Sequence, residues 1–150
     1  MAKRVIITPD PDSDTTSAVA QQLGIVVFGT PVEVPGERAY TVPMQILRAN
    51  GQPYDIEHDM EMAVYQDEGL GTPALNASIG GPSSKGAIDD GEGLAAIKLS
   101  TDANGEFDCK VSSSLGQTVH AACKMGFGSA SVNCQNKLEL TFPVNPFPVS

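Results

Sequence analysis

The chain has 150 residues, a formal net charge of −9, three cysteines and no tryptophan. That length fits one domain with an arm and buries a core without disulfide staples. Lys3-Arg4 is the only adjacent basic pair, which argues against direct binding to nucleic acid or to an anionic membrane. No apolar run approaches membrane-spanning length, and an odd cysteine count does not fit a secreted disulfide framework. Fifteen glycines and eleven prolines with few aromatics suit an all-β domain of short strands and many turns.

The first residues, Met-Ala-Lys-Arg-Val-Ile-Ile-Thr-Pro-Asp, do not make a signal peptide, because the apolar run is three residues long. The chain is therefore expected to fold in the cytoplasm of the cell that makes it. Arg4 to Thr8 reads as a strand. Asp10, Asp12 and Asp14 alternate as at the start of a calcium loop, but Thr15 stands where the glycine belongs and Gln21 where the closing glutamate belongs. A solvated turn is the reading there, followed by one or two helical turns over Thr15 to Gln22. Ile25-Val-Val-Phe28 is a β-branched run between glycines, either a strand of the domain or a docking segment. Residues 1–30 are expected to form an arm or extra strands.

A sandwich body is expected over residues 31–142. Tyr40, Val42, Met44 and Ile46 share a face in one alternating run, and Pro43 within it argues for an edge position. Asn50-Gly-Gln-Pro53 is a turn. Ile56 to Val64 alternates most cleanly, with Ile56, His58, Met60, Met62 and Val64 on one side. Gly69 to Gly93 reads as a long loop, briefly strand-like at Leu75 to Ile79. Leu94 to Ser113 reads as a hairpin about the turn Thr101-Asp-Ala-Asn-Gly105, in which Leu99 faces Phe107, Ile97 faces Cys109 and Ala95 faces Val111. Thr118 to Met125, Ser129 to Cys134 and Lys137 to Phe142 complete the strands, and the Pro-rich tail 143–150 is expected to be extended.

Nothing in the pattern points to catalysis. His58 falls on an apolar face and His120 on a polar one; His120 and Cys123, three apart on a strand, point to opposite faces. Cys109, Cys123 and Cys134 fall at inward positions without a C-x-x-C pair, so they read as small buried hydrophobes rather than metal ligands. No serine lies in G-x-S-x-G, and Gly80 to Gly86 lacks phosphate-loop spacing. No catalytic, cofactor-binding or metal-binding residue is expected. The candidate partner-binding residues are the apolar ones outside the body: Val5, Ile6, Ile7, Ile25, Val27 and Phe28 in the arm, and Val144, Phe147 and Val149 in the tail. Their expected mode is strand addition to a neighbour.

Four segments carry a family resemblance: Gly36-Glu-Arg-Ala-Tyr-Thr-Val, Asn50-Gly-Gln-Pro, Thr101-Asp-Ala-Asn-Gly and Gly116-Gln-Thr-Val, followed by a closing apolar strand. Their order resembles the bacterial immunoglobulin-like domains of the invasin and intimin type over about residues 31–142. The departures are the Gly69–Gly93 loop, the N-terminal 30 residues and the proline-rich tail. The resemblance implies an immunoglobulin-like β-sandwich with no catalytic residues. Similar single domains occur on tailed-phage virions, so by analogy the expectation is a capsid decoration or cement protein. It would contact the major capsid protein or other virion subunits, or further copies of itself in a homo-oligomer, with no nucleic-acid or membrane partner. The other expectation is an adhesion or carbohydrate-binding module using the Gly69–Gly93 loop.

Overall fold

The computed structural model describes residues 25–48, 50–81, 84–125 and 132–149; for Ile25, Met125 and residues 132–136 the description is of backbone only. The expected strand Arg4–Thr8, the helical turns over 15–22 and the arm residues Val5, Ile6 and Ile7 lie outside the described residues. Two antiparallel sheets face each other, and no helix occurs among the described residues. The first sheet joins β1 (Ile25–Phe28), β3 (Ala39–Leu47), β8 (Glu106–Ser113) and β5 (Ala77–Gly80) in that order, with β2 (Val32–Glu33) also on β3. The second runs β10 (Val132–Phe142), β9 (Gln117–Met125), β4 (Asp59–Tyr65), β7 (Ala96–Ser100), β6 (Ala87–Asp90).

Period-two alternation selects the inner faces. Val42, Met44 and Ile46 of β3, Phe107, Cys109 and Val111 of β8, and Ile79 of β5 are buried from one sheet. Met60, Met62 and Val64 of β4, Ile97 and Leu99 of β7, and Val119, Ala121 and Cys123 of β9 meet them from the other. Each large side chain so buried stabilises the fold by about 1.5–3 kcal/mol.

The residues expected to form a hairpin behave differently. β7 pairs with β4 and β6, while β8 pairs with β3 and β5, so the two strands belong to opposite sheets. Leu99 and Phe107 both point inward, but as members of facing layers rather than as a cross-strand pair. Alternation identifies the buried face; it carries no information on whether the partner lies beside the strand or across the core.

The segment 101–105 is therefore a corner between sheets. The Asp102 carboxylate accepts the Asn104 and Glu106 amides, each at 2.9 Å. Gly105 has φ +73°, and a Cβ there would sit 2.1 Å from the Tyr54 carbonyl oxygen. Both conditions require glycine.

Pro43 is not on an edge. Its strand is flanked by β8 on one side and by β1 and β2 on the other. The Pro43 carbonyl accepts the Gly29 amide at 2.8 Å, so the missing N–H points to the same side, into the break between β1 and β2. Gly29 fits there because a Cβ would lie 2.9 Å from the Pro43 ring.

The Gly69–Gly93 loop also contains more order than its composition suggests. β5 and β6 both lie within it, and Gly93 and Leu94 exchange backbone bonds with Ile79 at 2.8 Å, covering the edge of β5. β4 begins only at Asp59, leaving Ile56 exposed rather than inward. β10 is one strand with a register shift between Asn133 and Lys137, not two.

Gly105→Ala is expected to lower stability by about 2–4 kcal/mol, from left-handed backbone strain plus the Tyr54 clash. Urea unfolding of the purified variant checks this, and Ala103→Gly at the exposed tip of the same corner is expected to change far less.

Candidate interaction surfaces

The run Ile25-Val-Val-Phe28 is a strand of the domain. β1 pairs with β3 from Ile25↔Leu47 to Phe28↔Met44. Val26 is fully buried, and Phe28 packs against the core from a half-buried position. Val27 is half-buried. The backbones of Ile25, Val27 and Phe28 are thus committed within the sandwich.

The tail is anchored at its own end of the body. Gly36 donates to the Phe147 carbonyl and Phe147 donates to the Glu37 carbonyl, both at 2.9 Å. Arg38 gathers three carbonyls: Nε donates to Pro143 at 2.9 Å, Nη1 to Ser113 at 3.4 Å, and Nη2 to Val144. The Phe147 ring meets Tyr40 edge-on at 5.2 Å, and Tyr40 meets Phe142 at 5.3 Å. The Tyr40 hydroxyl donates to the Thr141 carbonyl at 2.8 Å. Burial, with the Glu33 carboxylate second, raises the Tyr40 pKa above its ordinary value. Of the three tail candidates, Phe147 is therefore spent on the body, while Val144 and Val149 remain 79% and 81% exposed.

These valines have company. The end of the sandwich where β3, β5 and β9 begin and β4, β8 and β10 finish carries Val32, Leu75, Leu115, Val144 and Val149. They are five of the seven exposed large hydrophobics among the described residues; Ile56 lies at the opposite end and Leu94 beside β5. Val144 crosses Gly116, whose added Cβ would sit 2.9 Å from the Val144 Cα, and Val149 covers Gly36. An open groove between β2 and the tail is lined by Pro31, Val32, Glu33, Pro35, Phe147 and Pro148. Sequence reading found the tail valines but missed Val32, Leu75 and Leu115. Each sits beside a turn residue, where no periodicity marks it.

Among the described residues, the titratable side chains do not converge. His58 precedes β4, half-buried, with its ring edge-on to Tyr54 at 6.1 Å and its Nε2 buried without a hydrogen bond. Its burial lowers its pKa, against a smaller upward pull from Asp59. His120 lies on the outer face of β9 opposite Tyr65 and Glu139. The Cys109 and Cys123 thiols are free and buried, 3.9 Å from the Met62 sulfur and 3.4 Å from the Met44 sulfur. Burial, then the Asp108 carboxylate, pushes the Cys109 pKa up to about 12. The Cys134 side chain lies outside the described residues. Among the described residues, no three of His, Cys, Asp and Glu gather to hold a metal ion. Likewise, among the described residues no helix is long and apolar enough to cross a membrane.

A thiol with so high a pKa and no access to solvent is inert. Cys109 is expected to stay unlabelled by iodoacetamide at pH 8 in the native protein and to react once urea unfolds it, as peptide mass spectrometry would show.

His58 binds its proton less readily in the fold than in the unfolded chain. Stability therefore falls as pH drops from the ordinary value near 6.5 through the lower folded value. His58→Gln is expected to lose less stability than the parent protein between pH 7 and pH 5; equal losses in urea titrations would mean that His58 is not the proton sensor.

Comparison of the chain with protein-family models, with curated proteins and with solved structures returned no match.

Proposed function

We propose that this chain is a non-enzymatic structural protein of a tailed-phage particle, a capsid decoration or cement protein built on an immunoglobulin-like sandwich. The observation that carries the reading is the collection of exposed apolar residues at one end of the body. A monomeric surface scatters such residues; gathered on one end they suit attachment to a larger partner. The proposed partner is the major capsid protein or another virion subunit. Binding to the assembled shell but not to dissociated subunits would stabilise the shell by mass action.

The immunoglobulin-like part of the reading is supported by strand order. The neighbours β1-β3-β8-β5 match an A-B-E-D sheet and β10-β9-β4 match G-F-C, with β7 and β6 where C′ and C″ would extend it. The departure is that β7 and β6 follow β5 in the chain instead of preceding it. The phage assignment rests on the resemblance of the turn motifs to bacterial immunoglobulin-like domains and on the virion use of similar single domains.

In mechanism, Arg38 and the Phe147 backbone bonds hold the tail in one conformation before any partner arrives. Pre-ordering of this kind removes part of the entropic cost of docking. Val144 and Val149 are then presented beside Val32 and Leu115, while the acidic faces of the body remain in water.

The test is cosedimentation with purified heads of the phage that encodes the chain. The parent protein is expected to travel with the heads, and the pair Val144→Glu with Val149→Glu to be released at least about tenfold more easily. Arg38→Ala should weaken binding less, because it loosens the tail without altering the apolar residues. Undiminished binding by the double variant would remove the apolar end as the attachment site.

A further inference from the structure

Asparagine followed by glycine occurs twice in the chain, at Asn50-Gly51 and Asn104-Gly105, and both pairs follow an alanine. Such a pair can react with itself. The glycine amide nitrogen, once its proton is lost to hydroxide, attacks the asparagine Cγ. Glycine permits the attack because it has no side chain to shield its nitrogen. With such similar neighbours, the two pairs differ chiefly in what the fold does to them.

The second pair is locked from several directions. Gly105 is buried, and its amide donates to the Asp102 carbonyl at 3.0 Å. The Asn104 amide donates to the Asp102 carboxylate at 2.9 Å, and the Asn104 carbonyl accepts Gln45 Nε2 at 2.7 Å. The Gly105 carbonyl accepts the Ile46 amide at 2.9 Å, and the Tyr54 carbonyl oxygen stands 2.1 Å from where a Gly105 Cβ would be. Baring the Gly105 nitrogen therefore means parting β3, the segment before β4 and the corner, which is close to unfolding the body.

The first pair is held by its own turn. Arg48 donates to the Gln52 carbonyl at 2.7 Å, Gly51 to the Arg48 carbonyl at 2.9 Å, and the Gln52 amide to Asn50 Oδ1 at 3.0 Å. All three bonds lie within residues 48–52, so a local fluctuation opens them together. Asn50 and Gly51 are exposed. A Cβ at Gly51, where φ is +86°, would meet nothing within 4 Å, so solvent reaches its nitrogen. The bond from Gln52 also folds the Asn50 side chain back along the Gly51 peptide and draws electron density from its carbonyl, which prepares Cγ for attack.

We propose that Asn50 is a self-modification site of the folded protein, converted without an enzyme to aspartate and isoaspartate, while the corner protects Asn104. The Gly51 nitrogen bonds to Cγ, the side-chain nitrogen leaves as ammonia, and a cyclic succinimide results. Water then opens the ring at either carbonyl. Cleavage at Cγ gives aspartate; cleavage at the backbone carbonyl gives isoaspartate, with the chain running through Cγ. Each product adds one negative charge, two residues from the Arg48 guanidinium that stacks on Tyr54 and pairs with Asp55. Isoaspartate also lengthens the backbone inside the turn by one atom, which the bonds of the turn do not fit. The turn follows the last residue of β3, whereas the apolar end gathers where β3 begins. The change therefore accumulates with the age of each copy away from the attachment residues, and it does not rest on that reading.

The test incubates the purified full chain at mildly alkaline pH, folded in one sample and unfolded by guanidinium chloride in another. Digestion under mildly acidic conditions and mass spectrometry of the peptides then follow aspartate and isoaspartate at both positions. In the folded chain Asn50 is expected to convert at least about tenfold faster than Asn104. In guanidinium the two rates should converge, because only the fold separates them. Gly51→Ala, whose methyl shields the nitrogen, should slow Asn50 by a similar factor and leave Asn104 unchanged. Equal rates in the folded chain, or a faster Asn104, would overturn the proposal. So would an Asn50 that stays intact in the folded chain for as long as the unfolded chain takes to convert, or conversion at the parent rate in Gly51→Ala.

Discussion

The fold depends on how the chain crosses from one sheet to the other between β7 and β8. Thr101, one of two buried polar residues among the described ones, makes that crossing tight. Its amide donates to the His58 carbonyl at 3.0 Å, and its hydroxyl accepts the His58 amide at 2.9 Å and reaches the Ile56 carbonyl at 3.3 Å. On the other side of the corner, Ile46 donates to the Gly105 carbonyl and Tyr54 donates to the Ile46 carbonyl, each at 2.9 Å. The corner therefore holds together the end of β3, the segment before β4, and the start of β8. β7 is already paired on both sides by β4 and β6, and β8 by β3 and β5, so neither has an edge left for the other. Gly105 fits closely against the Tyr54 carbonyl within this corner. Ser113, the other buried polar residue, does the corresponding work at the far end of β8. Its hydroxyl is shared among the Leu115 amide at 3.2 Å, the Leu115 carbonyl at 2.5 Å and the Gln117 amide group at 2.9 Å.

That constraint explains which parts of the structure were legible in the sequence. The inner faces of β3, β4, β8 and β9 were readable because a half-buried strand must alternate, and Val42, Met62, Cys109 and Val119 all stand where alternation placed them. Strand partners were not readable. Leu99 and Phe107 satisfy the same pattern whether they are lateral neighbours or face each other across the core. β6, with the sequence Ala-Ile-Asp-Asp, buries little apolar surface and is held by its ladder to β7, so no hydrophobic signal announced it. Pro43 misled for a related reason. The break that accepts its missing N–H is made by Gly29 to Pro31, and that pairing is set by tertiary structure rather than by the residues around Pro43.

The surface features were legible to different degrees. Val144 and Val149 stood out because apolar residues in a proline-rich tail have no periodic partner. Their support did not, since Arg38 reaches them over more than one hundred residues of sequence. An alanine floor on the outer face of the second sheet was wholly invisible. Ala63, Ala96 and Ala122 are ordinary residues in three separate strands, and they become a floor only through the registers of β4 with β7 and β9. Of the Gly69–Gly93 segment, Gly69 and Leu70 line a cavity on the outer face of the second sheet, beside Ala63 and Ala96.

The ends and the faces of a sandwich differ in what they can expose. Strand ends expose turns, whose side chains are free of the pleat and can be apolar without opening the core. Val32, Leu115 and Val144 use that freedom. A sheet face has no such freedom, because every outward side chain is fixed in direction by the pleat and in height by its size. Relief on a face comes only from residue volume, and a row of alanines between longer side chains is the way a flat sheet makes a depression. The arrangement needs no moving part: the tail is fixed by Arg38, and the sheets by the crossing at Thr101.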